Sequence, residues 1–385
     1  MAIFLTGVTG YVGKHLLRYL LLSTSQYQIF VCIRPKDSLS SKERFSKEIK
    51  EHILFKDILL QTNLKNVTLI EKDIRSLNSK DLESCTHMIH CAANVKFTSP
   101  FEKLMDENYH ALRKLYKLCK SIKFIHISTC YVHPKLSKYK KAEKIPSELP
   151  KEEFVCDYAY TKYLAEHYLY KQKGDIQIIR LSCVGAPIEN LPPIRGGAHL
   201  SILEAVERGS IPDIWIPKNL EFSVVPIDIA CKGIIQQLES KSKFEILQFC
   251  APSESSVYNI SAKDILLKKP YSSTHIWSSC SYKQFEIWMS FFYYFIPFML
   301  KKIKDINSTV SYVSNNIRFE SSLEFPDLVS TQYVDITLKY IEDLVKTTPK
   351  SRNVVVSIIL RIFTFVKQLF IRCVGEEWIG VFETD

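Results

Sequence analysis

Residues 4–21 read FLTGVTGYVGKHLLRYLL, and the fold turns on how this stretch is understood. The apolar run Ala2–Leu5 before the glycines has the length and character of a buried parallel strand. After them, a helix is expected to open near Gly10–Tyr11, with Val12, Leu16, Leu17 and Leu20 on one stripe. Gly7, Gly10 and Gly13 therefore form G-x-x-G-x-x-G between a strand and a helix. The first glycine permits a tight turn, the second lets backbone approach a pyrophosphate, and the third lets helix and strand pack closely. The helix N-terminus adds free N–H groups and a positive dipole. A glycine cluster alone would equally describe a structural turn. With both flanking elements it predicts a dinucleotide-binding loop.

Outward from the loop, short apolar runs recur at Ile29–Ile33, Val67–Ile70, Met88–Cys91, Phe124–Ile127 and Gln177–Leu181. Helical stretches such as Glu107–Ser121 and Tyr160–Lys171 lie between them. That alternation predicts an α/β chain with a Rossmann-type, doubly wound parallel sheet. From about residue 185 the alternation weakens into a substrate-side elaboration. The expected division is a dinucleotide-binding domain over 1–250 and a smaller C-terminal region over 251–385.

The end of the second strand bears on which dinucleotide is bound. An NAD site usually carries an acid there for the ribose 2′-hydroxyl. Residues 32–37 read CIRPKD instead, placing Arg34 at the acid's position with Lys36 just beyond. A guanidinium suits a 2′-phosphate, so NADP(H) is the expected cofactor. Cofactor contacts are also expected at Thr9, Tyr11 and Val12 around the glycines, at Asp73–Ile74 after the third strand, at Ala92 and Ala93 after the fourth, and at Val184 beyond the sixth.

A catalytic group follows. Tyr158 and Lys162 have Y-x-x-x-K spacing, which puts both side chains on one helix face. The lysine ammonium is expected to lower the tyrosine's pKa, and the phenol to act as general acid toward a carbonyl that receives hydride. Tyr160 lacks the matching lysine, because Leu164 stands at that position. Thr129, at the end of the fifth strand, is the candidate to orient the carbonyl oxygen; Ser128 is the weaker one, and an N-cap is the structural alternative for either. His90, His126 and His133 read as packing or surface histidines, without a metal-site partner at usable spacing.

Composition bounds the rest. The 385 residues are 46% apolar and 24% charged, as in a globular chain with a substantial core. The formal charge of +10 favours anionic partners such as nucleotides or coenzyme A. Eleven cysteines without a C-x-x-C pair read as reduced thiols facing the cytosol. The N-terminus lacks the pattern of a signal peptide.

These features together resemble the extended short-chain dehydrogenase/reductase superfamily. Within it, VCIRPKDSLSSKERF (31–45), HCAANVKF (90–97), HISTCYV (126–132), YAYTKYLAE (158–166) and VVPIDIA (224–230) resemble segments of fatty acyl-CoA reductases and thioester reductases, which carry the male-sterility-type NAD-binding domain. The likeness covers about residues 2–235. It implies NADPH-dependent reduction of a fatty acyl thioester to aldehyde or alcohol, with the catalytic roles on Thr129, Tyr158 and Lys162. One departure is Arg180–Leu181, where that family commonly has Arg-Pro. The alternatives are a 3β-hydroxysteroid dehydrogenase-type enzyme, a sugar-nucleotide epimerase or dehydratase, or an NADP(H)-sensing regulator without turnover.

A long-chain acyl substrate partitions into bilayers, so peripheral contact with a cytosol-facing membrane surface is expected. The candidates are the apolar stretch 287–300, too short to span, and the amphipathic stretch 354–374. Ser357, Arg361, Thr364, Gln368 and Arg372 fall on one narrow face of the latter. Six lysines in 135–151 could attract coenzyme A phosphates, or simply be solvated. Nucleic acid is not an expected partner.

Overall fold

The computed structural model describes residues 1–23, 27–59, 64–133, 139–140, 148–172, 174–208, 221–252, 259–261, 318–326 and 332–348. Its strands are β1 (Ala2–Thr6), β2 (Gln28–Cys32), β3 (Val67–Ile70), β4 (His87–His90), β5 (Lys123–Thr129), β6 (Tyr139–Lys140), β7 (Ile176–Leu181), β8 (Cys183–Gly185), β9 (Glu221–Pro226), β10 (Phe244–Phe249), β11 (Asn259–Ser261) and β12 (Arg318–Phe319). Its α-helices are α1 (Tyr11–Leu22), α2 (Ser41–Phe45), α3 (Lys56–Leu59), α4 (Phe101–Leu104), α5 (Ala111–Leu118), α6 (Asp157–Tyr170), α7 (Ala198–Glu207), α8 (Ile227–Gln236) and α9 (Gln332–Thr347). A π-helical turn, Met105–His110, joins α4 to α5.

Seven strands form one parallel sheet in the order β10-β7-β5-β4-β1-β2-β3. Every residue of β5 and β7 is buried. Both faces of these strands are covered, which is why they read as unbroken apolar runs. The order reverses at β1, between β2 and β4. Ligands of such sheets bind at that switch point, outside the carboxyl ends of the strands. The register sets Thr6 beside His90 and Thr129 beside Leu181. The turns after β1, β4 and β5 thus open into one crevice.

Helices cover the sheet on both sides. One core, containing Leu16, Leu17, Leu20 and Ile234, packs α1 and α8 against Ile3, Leu5 and Ile89. Another packs Leu112, Leu115 and Leu169 of α5 and α6 against Phe4, Met88 and Phe124. A third joins the crevice side to the C-terminal helix: Tyr131, Tyr158, Ala186, Leu200, Tyr333 and Tyr340 belong to it. A smaller sheet, β11-β9-β8, is built from strands that follow β7 in the chain. The stretches 287–300 and 354–374, and most of 135–151, lie outside the described residues. Among the described residues no helix is long and apolar enough to cross a membrane.

Candidate functional site

The glycine loop is built for close backbone approach. Gly7 holds φ +75°, and a Cβ there would sit 2.6 Å from the Ala92 nitrogen, so both conformation and space demand glycine. A Cβ on Gly13 would lie 2.3 Å from the Gly7 carbonyl oxygen, and α1 therefore seats directly on the loop. Gly10 differs. Its Cβ would meet only the Gly7 oxygen, at 3.3 Å, so its outer side is open. Gly10 is also the N-cap of α1, and no side chain caps that helix. The first-turn N–H groups are thereby left to an anion, in a cradle that a larger residue would fill. Residues and geometry fit a dinucleotide pyrophosphate.

Two guanidiniums stand between the end of β2 and the glycine loop. Arg34, half-exposed beyond β2, donates to Asp73 Oδ2 at 3.2 Å and to Glu107 Oε1 at 3.4 Å. Arg44 donates to the Arg34 carbonyl and, at 3.3 Å, to Thr9 Oγ1 of the glycine loop. Arg44 was not singled out from the sequence. Its local signal is the capping box Ser40–Glu43, which starts a helix just after the strand-end cations and fixes where the next residue points. Asp73 caps the turn Ile74–Ser76 through the Arg75 N–H. The Arg75 guanidinium, and then Arg34, hold its carboxyl well below the usual carboxylate range. Ile74 is half-buried at the edge of the α5 core. Lys36 is exposed on a turn, 3.6 Å from the Asp37 carboxylate.

The catalytic candidates converge at the ends of β5 and α6. Tyr158 is buried, with its ring edge-on to Phe97 at 5.6 Å. Thr129 is buried, and its Oγ1 accepts from the Tyr131 N–H at 3.3 Å. The N-cap reading and the site reading thus fall on one atom. Ser128 Oγ is buried without a hydrogen-bond partner among the described residues. Lys162 is buried too. It donates to the Ile127 carbonyl at 2.6 Å and lies 3.2 Å from His126 Nε2.

One electrostatic expectation needs correcting. Burial pushes the Tyr158 phenol up, with a smaller push from Cys156, and Lys162 is not among the causes. The reason is geometric, since the ammonium is engaged by the backbone of β5. Burial also draws Lys162 itself down to about 8, with Glu166 and Cys91 partly restoring it. A phenol held protonated at neutral pH is suited to give a proton rather than take one.

A polar network ties the turn after β4 to α6. Asn94 N–H donates to Asn108 Oδ1 at 2.7 Å, and Asn108 Nδ2 donates to the Asn94 carbonyl and to Thr161 Oγ1. Thr161 in turn donates to the Tyr158 carbonyl at 2.8 Å. Asn94 Nδ2 also reaches Glu107 Oε2 at 2.7 Å, linking this turn to Arg34. Ala92 and Ala93 are half-buried within it, and the Ala92 N–H donates to Thr6 Oγ1 at 3.2 Å. Asn94 and Asn108 carried no sequence signal, since each acts through a partner on another element.

The opposite wall comes from β8 and the residues that follow it. Tyr11 donates to the Gly185 carbonyl at 2.9 Å, and its ring lies so close to Gly196 that a Cβ there would be 2.2 Å away. Val12 is half-buried beside it, and buried Val184 turns its carbonyl toward Gly197, which holds φ +75°. Tyr333 of α9 donates to the Ala186 carbonyl at 2.8 Å. His90, His126 and His133 are all buried. Among the described residues no group of His, Cys, Asp or Glu could hold a metal ion.

Comparison with known proteins bears on the family and the fold. A family model described as male sterility protein matches residues 5–234. The putative fatty acyl-CoA reductase CG8306 of Drosophila melanogaster is 24% identical, over 60% of this chain and 53% of that protein. Fatty acyl-CoA reductase 1 of Homo sapiens is 27% identical, over 59% and 52% respectively. The chain thus spans about half the length of the curated relatives it matches. Among solved structures, the terminal R domain of the myxalamid PKS-NRPS biosynthetic pathway superposes with a TM-score of 0.68 at 18% identity, over 90% of each chain. UDP-glucuronic acid 4-epimerase from Bacillus cereus, in complex with NAD, superposes at 0.56 and 19%, over 89% of this chain and 99% of its own. At these identities the two structures speak for the fold alone.

Proposed function

The chain belongs to the male sterility protein family, and from that premise we propose that it is an NADPH-dependent reductase of fatty acyl thioesters such as acyl-CoA. The observation that carries this reading is the buried Tyr158–Lys162 pair, set with Thr129 at the crevice where the glycine loop opens. The relatives' names supply the substrate class.

The glycine-loop N–H groups would hold the pyrophosphate, and Arg34 and Arg44 the adenosine 2′-phosphate. Bound NADPH supplies the hydride for the thioester carbonyl. Thr129 orients that carbonyl oxygen through its hydroxyl. Tyr158, kept protonated by burial, gives its proton to the same oxygen. Lys162, one turn along the same helix face, would hold the cofactor ribose through its ammonium. Phe97, against Tyr158, helps to exclude water. A position at the cytosolic surface of a membrane, through 287–300 and 354–374, belongs to the same proposal.

Palmitoyl-CoA is expected to drive NADPH oxidation, read at 340 nm, with release of free thiol. A steroid and a UDP-sugar should give none. Turnover with either of those and none with the thioester would sink the proposal. Cofactor choice has its own test. Arg34→Asp is expected to raise the NADPH Kd by about 10- to 100-fold, the cost of losing a charge-assisted contact, while the NADH Kd stays the same or falls. Titration by nicotinamide fluorescence measures both, and an unchanged ratio removes Arg34 from phosphate recognition.

A further inference from the structure

Lys162 is gripped by a residue that the mechanism above does not use. Its Nζ lies 2.6 Å from the Ile127 carbonyl oxygen and 3.2 Å from His126 Nε2. Both Lys162 and His126 are buried. An ammonium has three N–H donors and no lone pair. His126 Nε2 must therefore accept, and the imidazole proton sits on Nδ1. That Nδ1 is buried and has no hydrogen-bond partner among the described residues. A buried donor left unpaired costs free energy, and a phenylalanine would fill the space without that cost. Among the described residues the imidazole's one polar contact is the one to the lysine. Behind it, His90 stacks on His126 with ring centroids 5.5 Å apart. His90 Nδ1 shares a 2.9 Å hydrogen bond with Thr6 Oγ1, at the base of the glycine loop.

We propose that His126 is a positioning residue for the lysine: as a neutral imidazole it takes one of the three ammonium donors, Ile127 takes the second, and the third is thereby aimed at the cofactor ribose and Tyr158. This rests on Tyr158 and Lys162 being the reacting pair. The same contact keeps the lysine charged, since an acceptor favours the ammonium over the amine. The groups facing Lys162 are Glu166 on its own helix, Cys91 after β4, and the two imidazoles on β4 and β5. Glu166 and Cys91 favour the charge. Burial, then Lys162, pushes both His90 and His126 below the usual imidazole range. Neither competes with the lysine for a proton near neutral pH, so His126 stays an acceptor.

The test uses the full chain and two variants. His126→Phe keeps the ring volume and removes the acceptor, and His126→Gln returns an acceptor oxygen. With palmitoyl-CoA and NADPH, the alkaline limb of the kcat profile is expected to move about one pH unit lower in the phenylalanine variant. It should return to the wild-type position in the glutamine variant, and the KM for the thioester should change little in either. A fall in kcat without movement of the limb, or equal movement in both variants, overturns the proposal. A second readout needs no turnover. The ¹⁵N-imidazole spectrum of the resting protein, with His126 identified by its absence in the phenylalanine variant, should show a neutral ring protonated at Nδ1. A proton on Nε2 overturns the proposal as well. Were the chain inactive on thioesters, the kinetic comparison would fail in the wild type too, and the spectrum would still decide the role of His126.

Discussion

Tyr158→Phe is expected to lower the kcat for thioester reduction by about 10²- to 10⁴-fold, the usual worth of a positioned general acid, with NADPH affinity nearly unchanged. The ring packs against Phe97 and belongs to the crevice-side core. Phenylalanine keeps that packing and deletes only the proton donor. A thermal midpoint equal to wild type would separate lost chemistry from lost folding. The wild-type pH profile supplies a signed check. The phenol is pushed up by burial, so its protonated form persists from acid through neutral pH, and it imposes no acid-side loss. Lys162 is drawn down to about 8. The ammonium is present below that pH and disappears above it, so kcat should fall as pH rises through this region. Full activity in Tyr158→Phe would remove the phenol from the mechanism.

The largest stability effect is expected one helical turn beyond Lys162 on α6. Glu166 and Arg180 form an ion pair with no exposure of either side chain, joined by Nη2–Oε2 at 2.6 Å and two contacts from Nε. His133 Nε2 lies 3.3 Å from the same guanidinium and 3.0 Å from Gln248 Oε1. Breaking a buried pair leaves one charge without its partner, which costs about 3–5 kcal/mol. Glu166→Ala should lose that much in urea unfolding at unchanged slope. Replacing both partners with apolar residues, Glu166→Leu with Arg180→Met, should recover most of it, because the desolvation cost then vanishes with the charges. A single variant as stable as wild type would show that water reaches the guanidinium.

The interior of the sheet was legible because its chemistry is local. β1, β4, β5 and β7 are covered on both faces, so each appears as a short apolar run within one or two residues of its observed bounds. β10 was missed. Among the described strands it pairs only with β7, at the sheet edge, and its sequence FEILQF carries Glu245 and Gln248. The glycine triad was readable because backbone geometry alone dictates it. Arg34, Tyr158 and Lys162 were readable from spacing. Arg44, Asn94, Asn108 and His126 were not, because each matters through a partner distant in the chain or on another element. Asn108 shows why periodicity fails here. The π-helical turn inserts an extra residue into the helical repeat, and one residue is about 100° of an α-helix. A single uninterrupted repeat over 107–121 therefore misjudges which residues share a face with Asn108. The tyrosine's acidity was misjudged for a related reason, since the spacing gave the lysine's face but not the carbonyl of Ile127 that engages it.

The contact of Tyr11 with Gly185 and Gly196 bears on how such chains diversify. Tyr11 opens α1 directly after the glycine loop, yet its hydroxyl and ring are seated against Gly185 and Gly196, far along the chain. Any side chain at 196 would collide with that ring, so positions 11 and 196 are epistatic. A bulkier residue at 196 becomes tolerable only after a smaller one appears at 11, and the reverse order carries no clash. Recombinants that graft a foreign segment containing position 196 onto this N-terminal half should therefore succeed or fail largely by whether the donor sequence keeps glycine there.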